Sequence, residues 1–340
     1  MSHQSKRIIL KSFPQGHPKE SDFEINTIEI KEDEVKDGQV LVKLLYVSVD
    51  PYLRYRMKQV DNKAFQGYKL NEPLTSICLA RVISSKHGSL KEGDNVTSWN
   101  LTWQEFSIVK GEELNKLPSN DLPLSYYLHS LGMTGFTAYF GLLSVGEPKE
   151  GETVLVSAAA GAVGMLVGQI AKLKGCKALG IAGGKEKVEF VKSLGFDDCL
   201  DYKTVDNMDE AIKKFCPNGI DVYFDNVGSE TLDAVLLNIN DGARLPLCGS
   251  ISNYNDTKEA QGPRRTFNLI SKNAKMEGFL VSKYGKDFGK AQQEITEWLK
   301  QGKIKEQIDE RNGMEKIVPS FIDLFHGRNT GKVVVKIADE

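Results

Sequence analysis

Ser157-Ala158-Ala159-Ala160-Gly161-Ala162-Val163-Gly164, SAAAGAVG, stands between the apolar run Thr153–Val156 and an amphipathic stretch. Side chains this small either let two elements pack closely or let something other than protein approach the backbone. The flanks place the tract on a map. Thr153–Ser157 reads as a strand, and Val163, Val167, Ile170 and Ala171 follow at helical spacing until Gly175 stops the helix. Lys177–Ala182 reads as a second strand, and Lys185–Leu194 as a second helix with Val188, Val191 and Leu194 on one face. The tract is therefore the turn from the first strand to the first helix of an alternating βα series.

Further strands are expected at Asp221–Phe224, Arg244–Cys248 and Met276–Val281, with helices near Glu230–Asn238 and Phe288–Gln301. Repeated βα units imply a parallel sheet with helices on both faces, because crossovers are right-handed. In such a sheet the first turn receives a dinucleotide pyrophosphate at the helix N-terminus. Gly161 and Gly164 take the second and third glycine positions of GxGxxG, while Ala159 replaces the first. Plain helix-on-sheet packing would use the same small residues, and the position of the tract is what favours a cofactor. A dinucleotide site for NAD places an acid about 20 residues further on. Gly183-Gly184 stands there instead, followed by Lys185 and Lys187, which suits the extra phosphate of NADP. Solvated lysines at a helix start would look the same.

Residues before about 125 differ in rhythm. Gly38–Leu45, Ala80–Ser84 and the turn Gly93-Asp94-Asn95-Val96 suggest short strands, and Gly331–Ile337 is strand-like again and able to return to that first domain. With 340 residues, two domains are expected. Lys and Arg number 44 against 46 Asp and Glu, so nothing in the net charge of -2 favours nucleic acid or an anionic membrane as partner. Cys78, Cys176, Cys199, Cys216 and Cys248 are scattered and never form CxxC, which argues against a disulfide framework or a thiolate zinc site. The N-terminal apolar segment is short for a signal peptide, and no run is long enough to span a bilayer. A cytoplasmic protein is expected, with the sequons at Asn95, Asn100 and Asn255 as chance matches.

Several segments in order, VSVDPYLR (Val47–Arg54), LGMTGFTAYFGL (Leu131–Leu142), SAAAGAVG, Asp201-Tyr202-Lys203, YFDNVG (Tyr223–Gly228), CGSISNYN (Cys248–Asn255) and GRNTGKVVVK (Gly327–Lys336), resemble the zinc-independent medium-chain dehydrogenase/reductase superfamily. Within it they resemble the prostaglandin reductase and alkenal double-bond reductase group. The resemblance implies an α/β protein with a Rossmann doubly wound parallel sheet domain, 126–301, and a β-rich GroES-like substrate domain, 1–125 with 302–340. It implies an active site in the cleft between them, NADP(H) as cofactor and a homodimer. It places Met133 and Thr134 along the cofactor and Gly161, Ala162, Val163 and Gly164 at the pyrophosphate. Gly183, Lys187, Tyr202 and Asn329 fall at the NADP phosphate end, and Asn226, Cys248, Phe279 and Val281 at the nicotinamide side. Tyr52, Trp99 and Tyr254 face the substrate. Departures are Ser229, where many relatives carry a second glycine, and the loop NDTKEAQGPRR after Tyr254, which varies with substrate.

Zinc-dependent relatives carry a Gly-His-Glu segment and a four-cysteine cluster, and neither pattern occurs. His3, His17, His87, His129 and His326 match no ligand spacing and read as surface or packing histidines. Alcohol oxidation would then lack its usual Lewis acid, and reduction of an activated C=C is the better match. That reaction moves a hydride to the β-carbon of an α,β-unsaturated aldehyde or ketone, with negative charge developing on the carbonyl oxygen. Tyr254 is the candidate donor to that oxygen, directly or with the nicotinamide ribose hydroxyl, or else an aromatic wall; Tyr52 and Trp99 are pocket walls. A zinc-independent NADPH quinone oxidoreductase and a binding protein that keeps its Rossmann domain without turnover are the alternatives.

Overall fold

β-branched and aliphatic residues on both faces of short runs demand a sheet covered on both sides, and residues 153–278 supply one. The structure, a computed structural model, describes residues 1–58, 66–258 and 262–340. The chain divides into two units, one of Met1–Leu128, Ile308–Asn329 and Val333–Glu340, the other of His129–Gln307 and Thr330–Lys332.

In the second unit the sheet strands are β1 (Thr153–Ser157), β2 (Lys177–Ala182), β3 (Asp198–Asp201), β4 (Ile220–Phe224), β5 (Ile239–Leu247) and β6 (Lys275–Gly278). The helices between them are α1 (Gly164–Leu173), α2 (Lys185–Ser193), α3 (Met208–Phe215) and α4 (Ser229–Leu236). Neighbouring strands are parallel in the order β3-β2-β1-β4-β5-β6. This is the doubly wound Rossmann arrangement, whose order reverses beside β1 and so opens a crevice at the carboxyl ends of β1 and β4. All five residues of β1 are buried, as a strand covered on both faces must be. Gly175, at φ 76°, ends α1 just past its last turn, the left-handed position that glycine adopts without penalty.

Three details differ from the sequence expectations. The last strand stops at Gly278, short of the expected Val281, because β6 is an edge strand whose pairing ends where β5 ends, Leu247 opposite Gly278; Val281–Asp287 is a 3-10 helix. β5 begins earlier, at Ile239, and leaves Cys248 just outside. β3 and α3 escaped notice: the strand is only Asp-Cys-Leu-Asp, and the helix rests on its cap, where Asn207 Oδ1 accepts from the Asp209 and Glu210 N–H groups at 3.0 and 3.3 Å.

The first unit is antiparallel. Gln39–Ser48 pairs with Thr75–Ser85, with Phe106–Lys110 and with Lys332–Lys336, which sets Val334 opposite Ser48. Ser2–Leu10 and Phe23–Lys31 form a separate pair. Ile8, Leu44, Val47, Trp103 and Phe321 are fully enclosed in its core, and the Trp103 indole donates to Ser76 Oγ at 2.8 Å, as a buried indole requires.

Candidate active site

The SAAAGAVG turn begins with Ala158 in the left-handed region, at φ 49°. The first-glycine position is filled by Ala159, wholly buried, and β2 makes room for it: a Cβ on Gly180 would lie 2.8 Å from the Ala159 Cβ. Gly164 brings α1 against the strand end, since a Cβ there would lie 2.4 Å from the Ala158 carbonyl oxygen and 2.9 Å from the Ala159 Cα. At Gly161 a Cβ would meet only the Ala158 oxygen, at 3.2 Å. The backbone of Gly161 is thus open where that of Gly164 is packed, and α1 presents its first N–H groups beside it. Gly161 bridges Gly331 in parallel fashion, and Gly331 N–H donates to the Ala160 carbonyl at 2.8 Å. These features fit a pyrophosphate, which needs close backbone approach and N–H donors.

At the end of β2 the second small tract meets the loop after β3. A Cβ on Gly183 would come within 2.6 Å of the Tyr202 ring, so only glycine lets the two lie face to face. Tyr202 is 47% exposed, leaving its other side available. Asp201 locks the corner: its Oδ1 accepts from Gly184 N–H at 2.8 Å and Lys203 N–H at 3.0 Å. The acid that the Gly183-Gly184 stretch lacks is therefore nearby, but engaged with backbone. Lys187, half-buried, lies in the first turn of α2.

Two of the nicotinamide-side candidates, Asn226 and Cys248, flank Asp225, which sequence reasoning passed over. Asp225 is 1% exposed, and its Oδ1 accepts from Ser157 Oγ, Tyr223 Oη, Val227 N–H and Gly228 N–H at 2.9 to 3.2 Å. Burial raises its carboxyl above the ordinary value against the pull of those donors. The neighbouring Asn226 donates from Nδ2 to the Ser157 carbonyl at 2.8 Å, and Cys248 and Gly249 donate to the Asp225 carbonyl at 2.9 and 3.1 Å. Asp225 thus joins the ends of β1, β4 and β5. Tyr254 is buried with its hydroxyl against this loop, accepting from Ser250 N–H at 3.3 Å, and a Cβ on Gly249 would lie 2.8 Å from that oxygen. Phe279 meets Phe224 edge-to-face at 6.1 Å and, with Leu247, Gly278, Leu280, Ser282 and Lys283, lines an open depression next to Val281. Thr134 is buried with its hydroxyl on the His129 carbonyl at 3.1 Å, beside the half-buried Met133.

Tyr52, Trp99 and Asn329 belong to the first unit. Tyr52 packs on its core, and burial, then Asp50, pushes its phenol well above the ordinary value. Trp99 is 40% exposed on the strand Asn95–Thr102, and Asn329 is half-buried. Ser229 holds φ 53° at the start of α4, where glycine would sit without strain. Of the loop after Tyr254, residues 259–261 lie outside the described residues. Among the described residues no three His, Cys, Asp or Glu side chains are grouped to hold a metal, and no helix is long and apolar enough to cross a membrane. One histidine is not a simple packing residue. His129 is fully buried and reaches Glu306, 177 residues away, a partner that local spacing could not disclose.

Two families match this chain, an N-terminal domain of oxidoreductase over residues 6–117 and a zinc-binding dehydrogenase over residues 162–297. Among curated proteins, the NADP(+)-dependent 2-alkenal reductase of Nicotiana tabacum is 43% identical, covering 99% of this chain and 98% of its own. The chain belongs to the prostaglandin reductase and alkenal reductase group of the medium-chain dehydrogenase/reductases. Prostaglandin reductase 1 of Mus musculus is 42% identical over 98% of this chain and 99% of its own. Among solved structures, CurA from Vibrio vulnificus in complex with NADPH is 41% identical, covers 98% of this chain and 100% of that one, and has a TM-score of 0.92. Members of the group are NADP-dependent oxidoreductases acting on small molecules, and the cofactor here is NADP(H).

Proposed function

We propose that this medium-chain reductase uses NADPH to reduce the C=C bond of α,β-unsaturated aldehydes or ketones, without a metal. When bound, NADPH supplies the hydride that goes to the β-carbon. Gly161, Ala162, Val163 and Gly164 hold the pyrophosphate, and Gly183, Lys187, Tyr202 and Asn329 hold the phosphate end. Met133, Thr134, Asn226, Cys248, Phe279 and Val281 bound the nicotinamide, and Tyr52, Trp99 and Tyr254 face the substrate. The observation that carries the reading is Tyr254, a buried tyrosine whose hydroxyl is fixed against the Gly249–Ser250 backbone on the loop that Asp225 ties to Asn226. A hydroxyl held in place by the backbone is a pre-oriented donor, and such a donor stabilises charge that grows on a carbonyl oxygen. The names of the 2-alkenal and prostaglandin reductase relatives support the same substrate class. We also propose that the protein is a cytoplasmic homodimer.

The test is a panel of alkenals, enones, oxo-prostaglandins and quinones assayed for NADPH consumption with product identification. Saturated carbonyl products from the enals and enones are expected. Turnover confined to quinones, or consumption of NADPH without a saturated product, would replace this reading by the quinone oxidoreductase one.

A further inference from the structure

Strand register sets an acid beside the second small tract. Asp201, the last residue of β3, pairs with Ala182, the last residue of β2, so the two parallel strands send Tyr202 and Gly183 out of the sheet side by side. The half-buried Asp201 carboxylate reaches both exits with one oxygen, since Oδ1 accepts from Gly184 N–H at 2.8 Å and from Lys203 N–H at 3.0 Å. Gly184, at φ 96°, is the N-cap of α2 and has no side chain to hold the first turn of that helix. Lys203 is the middle residue of the 3-10 turn Tyr202–Thr204, which Asp201 caps and which Thr204 closes by donating from Oγ1 to the Asp201 carbonyl at 3.0 Å. One carboxylate oxygen therefore fixes the start of α2, where Lys187 lies, and the turn that carries the Tyr202 ring.

We propose that Asp201 is a positioning residue that sets the preference for NADPH over NADH, acting through the backbone: it holds the Gly183-Gly184 turn and Tyr202 in register around the 2′-phosphate of the cofactor. The proposal rests on the reading of Gly183, Lys187 and Tyr202 as the phosphate end. Two effects of this acid oppose one another. As a charge, a carboxylate near a phosphate repels it, and its removal would tighten NADPH binding. As an acceptor of two backbone N–H groups it keeps the Tyr202 ring seated over Gly183, where even a Cβ would come within 2.6 Å, and its removal frees both turns. The acid of an NAD site meets the ribose hydroxyls directly from the end of the second strand. Asp201 stands one strand further out, on the sheet edge, and its Oδ1 is already taken by backbone. On the two turns Lys185, Lys187 and Lys203 outnumber Asp201 and Glu186, so the repulsion is offset and positioning is the larger effect.

Direct titrations of NADPH and NADH into Asp201→Ala and Asp201→Asn separate the two effects, because charge and positioning predict opposite signs. Asp201→Ala, at the end of an edge strand, should fold. It loses charge and acceptor together and is expected to bind NADPH about tenfold more weakly, the scale of one lost hydrogen bond, with NADH changed by less than about twofold. Asp201→Asn removes the charge but keeps an oxygen for both N–H groups, so it should bind NADPH at least as tightly as the wild type. Unchanged or tighter NADPH binding by Asp201→Ala overturns the proposal, as do equal losses for the two cofactors or an Asp201→Asn variant as weak as Asp201→Ala. Tyr202→Ala and Lys187→Glu test the reading beneath it. If these two lose NADPH selectively while Asp201→Ala does not, the Asp201 proposal falls alone; if neither lowers the NADPH preference, the phosphate-end reading falls and takes the proposal with it.

Discussion

In the proposed function Tyr254 and Lys187 each act through a single group. In that function the Tyr254 hydroxyl is the donor to the substrate oxygen, and one oriented donor at a developing oxyanion is worth about 3 kcal/mol. Tyr254→Phe keeps the ring and removes only the hydroxyl that lies against Gly249 and Ser250, so kcat on enones should fall by about a hundredfold with a smaller change in KM. Unchanged kcat would make the residue a pocket wall. Lys187 stands in the first turn of α2, just past the Gly183–Tyr202 contact. Lys187→Glu should weaken NADPH binding by about 2 kcal/mol, through loss of a charge-assisted contact and added repulsion, and NADH binding far less. Equal losses for the two cofactors in binding titrations would show that the lysine does not meet the phosphate.

At the scale of elements, the packed side of the turn should be less tolerant than its open side. Gly164→Ala places a Cβ 2.4 Å from a backbone oxygen, and neither strand end nor helix can yield without moving the other. It should lower the melting stability by about 2 kcal/mol or more, as overpacking does, while Gly161→Ala at 3.2 Å should cost well under half of that. Equal stabilities in thermal or denaturant unfolding would mean that α1 is not held against Ala158 and Ala159. The β1–α1–β2 unit was legible in the sequence because a strand buried on both faces is apolar without interruption and its helix shows the 3.6 period. β3 was not, since aspartates at both ends hide Cys199 and Leu200, and the end of β6 was not, since edge pairing rather than hydropathy stops it at Gly278. The same division runs through the site. Gly183 and Tyr202 come from stretches that stood out in the sequence, and the structure puts them face to face. The Asp225 node and the His129–Glu306 pair depend on contacts across the sheet and across 177 residues, which leave no periodic trace.

For the whole molecule, burial governs the cysteines and ion pairing governs the acid response. Burial pushes the Cys78, Cys199, Cys216 and Cys248 thiols up to about 12 and Cys176 up to about 11. The thiolate is the nucleophile, so native protein should react with iodoacetamide at neutral pH far more slowly than denatured protein, as mass spectrometry would read; fast native labelling of Cys78, Cys176, Cys199 or Cys216 would contradict its burial. On the acid side, Asp94 beside Lys116 and Asp209 beside Arg265 are held below their ordinary values by hydrogen bonds to those cations. Glu152 is held low by a guanidinium in the same way. Burial alone would raise its carboxyl, but the Arg244 guanidinium and the Lys149 N–H more than offset that and hold it low. A carboxyl whose folded value is depressed stabilises the fold above its unfolded value, and that contribution disappears as pH falls through the folded one. Glu152→Gln leaves Arg244 its bonds to the Gly146 and Glu147 carbonyls, so the variant should fold. It should be less stable than wild type by about 2 kcal/mol at neutral pH, the scale of a mostly buried pair broken on one side. The difference should shrink as pH drops below the ordinary carboxylate range, because the wild type then loses the same charge. Urea unfolding of both proteins across that range measures it, and a gap that stays constant or widens in acid would show that the Glu152–Arg244 contact contributes shape rather than charge.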